Sequence, residues 1–108
     1  MIVIVVKQPI RPKYSDQWLE LVDDFTQAAR QEPGCISFEW SRSLDDPNEI
    51  VLVEVFEDDA AGQAHVESEA FAKATQQLPK WLAGPPKIIH INGTSEGWTG
   101  VAEIPTDA

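Results

Sequence analysis

Along Glu32-Pro33-Gly34-Cys35-Ile36-Ser37-Phe38-Glu39-Trp40 the hydrophobic period of the chain changes from that of a helix to that of a strand. Pro33 cannot continue a helix, and Gly34 can take the positive φ of a C-terminal cap. From Cys35 onward the pattern has a period of two, with Ile36, Phe38 and Trp40 on one face and Ser37, Glu39 and Ser41 on the other. One turn therefore fixes where a helix ends and where a strand begins.

The flanking segments follow from the same reasoning. Ile2-Val3-Ile4-Val5-Val6 is β-branched throughout and reads as a strand ended by Pro9 and Pro12. Ser15 reads as a helix N-cap with Asp16 in the first turn, and Trp18, Leu21, Val22, Phe25 and Ala29 recur at helical spacing. Asp45-Asp46-Pro47-Asn48 is a turn by composition, so strand two and the run from Ile50 to Phe56 form a hairpin. Asp58-Asp59 caps a second helix that runs to about Leu78, with Gly62 as its weak point. Pro79 and Gly84-Pro85-Pro86 close that region before a last strand, Lys87-Ile88-Ile89-His90-Ile91.

The order β-α-β-β-α-β predicts an α+β ferredoxin-like fold, a split βαββαβ with a four-stranded antiparallel sheet and two helices on one face. Residues 1–93 form that domain and residues 94–108 a tail. Strands one and three are apolar on both faces, whereas a wet antiparallel sheet face alternates. The uncovered face is therefore expected to pack against a second copy, giving a sheet-to-sheet homodimer. Trp98, Val101 and Ile104 leave two readings of the tail open, an arm exchanged across the dimer or a frayed terminus.

Composition narrows the function. At 108 residues, 43% hydrophobic and 24% charged, the chain suits one globular domain. A formal charge of -10 argues against nucleic acid or an anionic membrane as partner. It is compatible with a neutral ligand in a shielded pocket, or with a soluble surface alone. The single cysteine, Cys35, forms no intrachain disulfide and has no neighbour in sequence that would activate a thiolate. No apolar run approaches the ~20 residues of a membrane helix, and residues 2–6 are too few for a signal-peptide core, so a cytoplasmic location is expected.

Phosphate loops, paired-cysteine metal sites and nucleophile elbows are absent from the sequence, and His65 and His90 lack a metal-binding spacing. Helix two is more informative. Its inward stripe, Ala61, Ala64, Ser68, Phe71, Thr75 and Leu78, with His65 and Ala72 at the edge, is too small and polar to fill a core. A helix that leaves space above a sheet makes a pocket, and His65, one turn from Ser68, would face into it. There it would accept a proton from a phenol or polarise a carbonyl; alternatively it is a hydrogen-bonded structural residue. Trp18 belongs to the core stripe of helix one. Trp40 and Phe38 form pocket wall or dimer core, and Trp81 is placed to close a pocket mouth, which together favour a flat aromatic ligand.

Through Glu32-Pro33-Gly34-Cys35 with Phe38-Glu39, then Glu54-Val55-Phe56-Glu57-Asp58, Ala64-His65-Val66-Glu67-Ser68 and Phe71, the chain resembles the antibiotic biosynthesis monooxygenase superfamily. The likeness spans roughly residues 2–92. It implies a cofactor-independent monooxygenase, without metal, flavin or haem, that oxidises a quinol or related hydroxylated aromatic with O2. His65 would be the base or hydrogen-bond partner, with Ser68, Phe71, Trp40 and Trp81 around the substrate. Ala70 stands where many relatives carry a second His or a Pro. The residues that the haem-degrading branch uses are missing: strand one has no Asn, His65 stands at the position of a helix-two Trp, and Thr75 stands where the iron-ligating His would fall. Ala70 and the few polar groups of the pocket motivate the alternative, a non-catalytic small-molecule-binding or stress-related dimer on the same scaffold.

Overall fold

The computed structural model describes residues 1–95, 97–104 and 106–107. Its elements are β1 (Ile2–Pro9), α1 (Pro12–Ser15), α2 (Trp18–Leu21), α3 (Asp23–Arg30), β2 (Cys35–Arg42), β3 (Glu49–Phe56), α4 (Asp59–Val66), α5 (Glu69–Gln77), a 3₁₀ turn (Leu78–Lys80) and β4 (Lys87–Asn92). The four strands make one antiparallel sheet in the order β2-β3-β1-β4. This is the ferredoxin-like α+β arrangement that the element order predicts, with the helices on one face.

The opening turn takes up the expected conformation. Gly34 has φ +83°, and a Cβ there would lie 2.6 Å from that of Ala61, so only glycine fits between the turn and α4. The Gly34 carbonyl accepts from the Glu57 N–H at 2.8 Å, and the Cys35 N–H donates to the Glu32 carbonyl at 3.1 Å. The turn is thus tied to both the sheet and its own helix.

Three features differ from the sequence reading. Helix one is broken into α1, α2 and α3, and Ser15 is not its N-cap. The chain turns helical at Pro12, whose fixed φ suits a first turn. Buried Ser15 instead donates from Oγ to the Pro47 carbonyl at 2.9 Å and accepts from Arg42, which joins the helix entry to the β2–β3 turn. The expected stripe still forms, with Trp18, Val22 and Ala29 buried.

The second difference is a register shift between Cys35 and Ser37. The bulge turns Cys35 inward, where it packs beside Phe56, Phe38 and Leu52, and leaves Ile36 43% exposed and off the face of Phe38 and Trp40. Thirdly, helix two breaks at Ser68 rather than weakening at Gly62, which sits inside α4. Asp58 caps α4 by accepting from the Ala61 N–H at 2.8 Å, and the Ser68 Oγ caps α5 by accepting from the Phe71 N–H at 3.1 Å. The restart rotates the inward face. Ala64 is exposed, while His65 moves from the expected edge to the centre at 2% exposure.

The opposite sheet face carries apolar rows across three strands. Val55, Val3 and Ile91 lie abreast, as do Val53, Val5 and Ile89, whereas β2 contributes Ser37, Glu39 and Ser41. Ile89 and Ile91 remain 60% and 54% exposed. From the tail, Trp98 lies beside Met1, Val3, Val53 and Val55 and donates from Nε1 to Ser37 Oγ at 2.6 Å. The chain end therefore rests on its own sheet; Glu96, Pro105 and Ala108 of the proposed arm lie outside the described residues.

Candidate active site

The site is built where the Pro33-Gly34 turn, β3 and α4 converge. The turn delivers Glu32 to α4, and the His65 Nδ1–H donates to Glu32 Oε1 at 2.7 Å. On its other side the His65 Nε2 lies 3.2 Å from Glu54 Oε1. Glu54 shares the inward phase of Leu52 and Phe56, both buried, and is itself 6% exposed. A carboxylate in that position needs a partner, because an unpaired buried charge is far too costly.

The remaining surroundings of His65 are aromatic. All four phenylalanines of the chain have ring centroids close to the imidazole: Phe56 at 5.0 Å, Phe71 at 5.4 Å, and Phe25 and Phe38 at 5.7 Å each. Such an apolar shell strengthens every charge interaction inside it. Burial alone would lower the pKa of His65, but hydrogen bonds to Glu54 and Glu32, and their charges, outweigh it and the net shift is upward. The two flanking acidic side chains thus favour the protonated form of the imidazole. Both ring nitrogens face a carboxylate oxygen, Nδ1 at 2.7 Å from Glu32 and Nε2 at 3.2 Å from Glu54. Glu54 keeps a second oxygen.

A cavity of about 220 Å³ opens beside this cluster. The sheet gives it Val6, Gln8, Trp40, Leu52 and Glu54; the helices give it Phe25, His65, Phe71, Ala74 and Thr75. Leu78, Leu82, Pro86 and Ile88 complete it from the loop and β4. That loop is held to the end of β1, where the Arg11 N–H donates to the Trp81 carbonyl at 2.9 Å and the Ala83 N–H to the Pro9 carbonyl at 2.8 Å. A second recess of about 400 Å³ on the Ile2 and Ile4 side shares Glu54, His65, Phe71 and Ile88 with the first and reaches His90.

Of the residues singled out from sequence, His65, Phe71 and Trp40 meet in one cavity. Trp40 faces the helices, and its Nε1–H is spent on Thr26 Oγ1 at 2.8 Å, so it offers an apolar wall. Ser68 and Trp81 lie elsewhere. The Ser68 hydroxyl donates to the His65 carbonyl at 2.7 Å while capping α5, which leaves it occupied within the helix break. Trp81 packs edge-on against Trp18 at 6.1 Å and lines an adjoining groove of about 600 Å³ between α2–α3 and α5, which shares Phe25, Ala74 and Leu78 with the cavity. Its loop reaches the cavity through Leu78 and Leu82 instead. Glu32, Glu54 and Gln8 were missed. The signal for Glu54 was its place inside the apolar run of β3, on the same face as Leu52 and Phe56.

The Cys35 thiol is pushed up by burial and by the charges of Glu32 and Glu54, so it stays protonated. Among the described residues no group of three or more His, Cys, Asp or Glu is arranged to hold a metal ion, and no helix is long and apolar enough to cross a membrane.

The family model for antibiotic biosynthesis monooxygenase matches residues 1–77. An uncharacterized protein of Synechocystis is 28% identical over 87 residues, which are 81% of this chain and 59% of that protein; the chain thus spans under two thirds of that relative's length. Among solved structures, a protein from Mycobacterium tuberculosis superposes with a TM-score of 0.77 at 23% identity, covering 88% of this chain and 96% of that one. A protein from Methanosarcina mazei gives 0.79 at 20% identity, covering 86% and 92%. These structures share the fold.

Proposed function

The chain belongs to the antibiotic biosynthesis monooxygenase family, and from that premise we propose that it oxidises a quinol or related hydroxylated aromatic with O2, without a cofactor, in the cavity beside Glu54 and His65. The observation that carries the reading is the buried His65, set between Glu32 and the buried Glu54, beside a mostly apolar, aromatic-walled cavity that Glu54 and His65 line.

The phenolic O–H of the substrate meets Glu54, whose free oxygen takes the proton. His65, held by Glu32, stays protonated and turns its Nε2–H toward the new phenolate, whose negative charge it offsets. In this division of labour His65 is the hydrogen-bond partner and Glu54 the base. The electron-rich anion then reacts with O2. For a quinol, one oxygen atom enters a ring carbon and displaces its hydrogen, and the other leaves as water. The products are a hydroxyquinone and water, and all four electrons come from the substrate. The dry aromatic walls exclude solvent from the charged intermediates.

A volume of about 220 Å³ is below the ~300 Å³ lower end of drug-sized pockets, which favours one or two fused rings. The test is incubation of metal-stripped protein with a panel of naphthoquinols under isotopically labelled oxygen, followed by mass spectrometry. One labelled atom per product, above the uncatalysed background, is expected. Tight binding without turnover across the panel would instead establish a non-catalytic binding protein.

Partners in this reading are a small aromatic molecule, O2 and a second copy of the chain on the open sheet face.

A further inference from the structure

Gln8 is a buried amide to which the proton chemistry gives no task. It continues the inward file Ile4-Val6-Gln8 of β1, is 4% exposed, and lines the same cavity as Glu54 and His65. Its Oε1 has no hydrogen-bond partner. A buried amide oxygen left unmatched is costly, and strand β1 could have carried an aliphatic residue here as it does at Ile4 and Val6.

The sheet register fixes where this amide stands relative to the charged cluster. Ile4 is opposite Glu54, Val6 opposite Leu52 and Gln8 opposite Ile50. Gln8 and Glu54 are therefore two inward rows apart, roughly 13–14 Å along the strands. Val6 and Leu52 form an apolar floor between them. Side chains of one sheet face stand roughly parallel. A hydrogen bond of about 2.8 Å at each end then leaves about 8 Å between the oxygens of a ligand that reaches both.

We propose that Gln8 is a specificity residue, which binds a second hydroxyl at the far end of a fused two-ring phenol whose first hydroxyl meets Glu54. The proposal rests on the reading of this cavity as the phenol site and adds the substrate class: a neutral bicyclic diol with hydroxyls at opposite ends of its long axis. A hydroxyl both donates and accepts, so it matches the amide whichever way the side chain is turned. No Lys or Arg is among the described residues lining the cavity, and two acidic side chains, Glu32 and Glu54, flank its histidine. A carboxylate or phosphate at the far end would therefore go unpaired.

The experiment is anaerobic calorimetric titration of wild-type protein and Gln8→Leu with naphthalene-2,6-diol, naphthalene-2,7-diol and 2-naphthol. Wild type is expected to bind the 2,6-diol about tenfold more tightly than 2-naphthol, as one hydrogen bond allows. The 2,7-diol, whose second hydroxyl points aside, should bind like 2-naphthol. In Gln8→Leu the preference should fall to about onefold while affinity for 2-naphthol is kept. Equal affinities in wild type, or a preference that survives the substitution, would overturn the role of Gln8. The three ligands compared on wild type decide the matter even if the variant fails to fold. Because oxygen is excluded, loss of the preference leaves the oxygenase reading to its own assay. A 2,6-diol preference without oxygen consumption would keep Gln8 and remove that reading. Failure of all three compounds to bind would overturn both.

Discussion

A histidine whose two ring nitrogens both meet carboxylates, inside a shell of four phenylalanines, is held toward its protonated form. Removing it leaves Glu32 and Glu54 as uncompensated charges, so His65→Ala should lose about 3–5 kcal/mol of unfolding free energy in urea titration. Glu54→Gln with His65 intact should cost much less stability than that. The pH dependence follows from the upward shift of His65. Above the unfolded value near 6.5, the folded protein holds a proton that the unfolded chain has released. The stabilisation is thus complete below that value and is lost as pH rises through the raised folded pKa. The urea midpoint of the wild type should fall as pH rises above about 6.5, and that part of the fall should be missing in His65→Gln. His65 was legible in the sequence as a candidate. Its charge state was not, because both partners come from other elements, one of them 33 residues away in the chain.

The elements owe their placement to a few short signals, of which the Pro33-Gly34 turn and the Asp58 cap were readable and the Ser68 cap was not. Ser68 reads as an interior helical residue until its hydroxyl is seen to close α5 and to mark the end of α4. That break, not a gap left by small residues along one continuous helix, sets His65 toward the sheet. Ser68→Ala should cost about 1 kcal/mol by thermal or urea unfolding and should lower oxygenation by releasing His65, without changing the product. Gly34→Ala meets the Ala61 Cβ at a positive φ and should destabilise by about 1–3 kcal/mol, with Glu32 displaced from His65. The opening turn therefore has a second task, since it also carries a member of the site. The bulge at Cys35–Ser37 escaped the period-two pattern, because one inserted residue reverses the phase of Ile36 without changing composition.

At the scale of the molecule, the helices cover one sheet face, and beside the valine and isoleucine rows of β3, β1 and β4 on the other lie Gly97 and Trp98 of the tail. A pairing of two such faces is the expected consequence, and light scattering at micromolar concentration should give twice the chain mass; Val53→Lys, at the centre of the face, should shift it toward the monomer. The fold and its helix-to-sheet cavity were legible from periodicity. The polar ends of that cavity were less so, since Gln8 and Glu54 acquire meaning only once strand register places them on one floor. Proton transfer from the substrate to Glu54 beside His65 is tested most directly by oxygen uptake of metal-stripped wild type and Glu54→Gln with the best naphthoquinol of the panel, corrected for uncatalysed oxidation. The rate should fall by about 10²–10⁴-fold in the variant while anaerobic affinity changes little. Equal rates in the two proteins would contradict it.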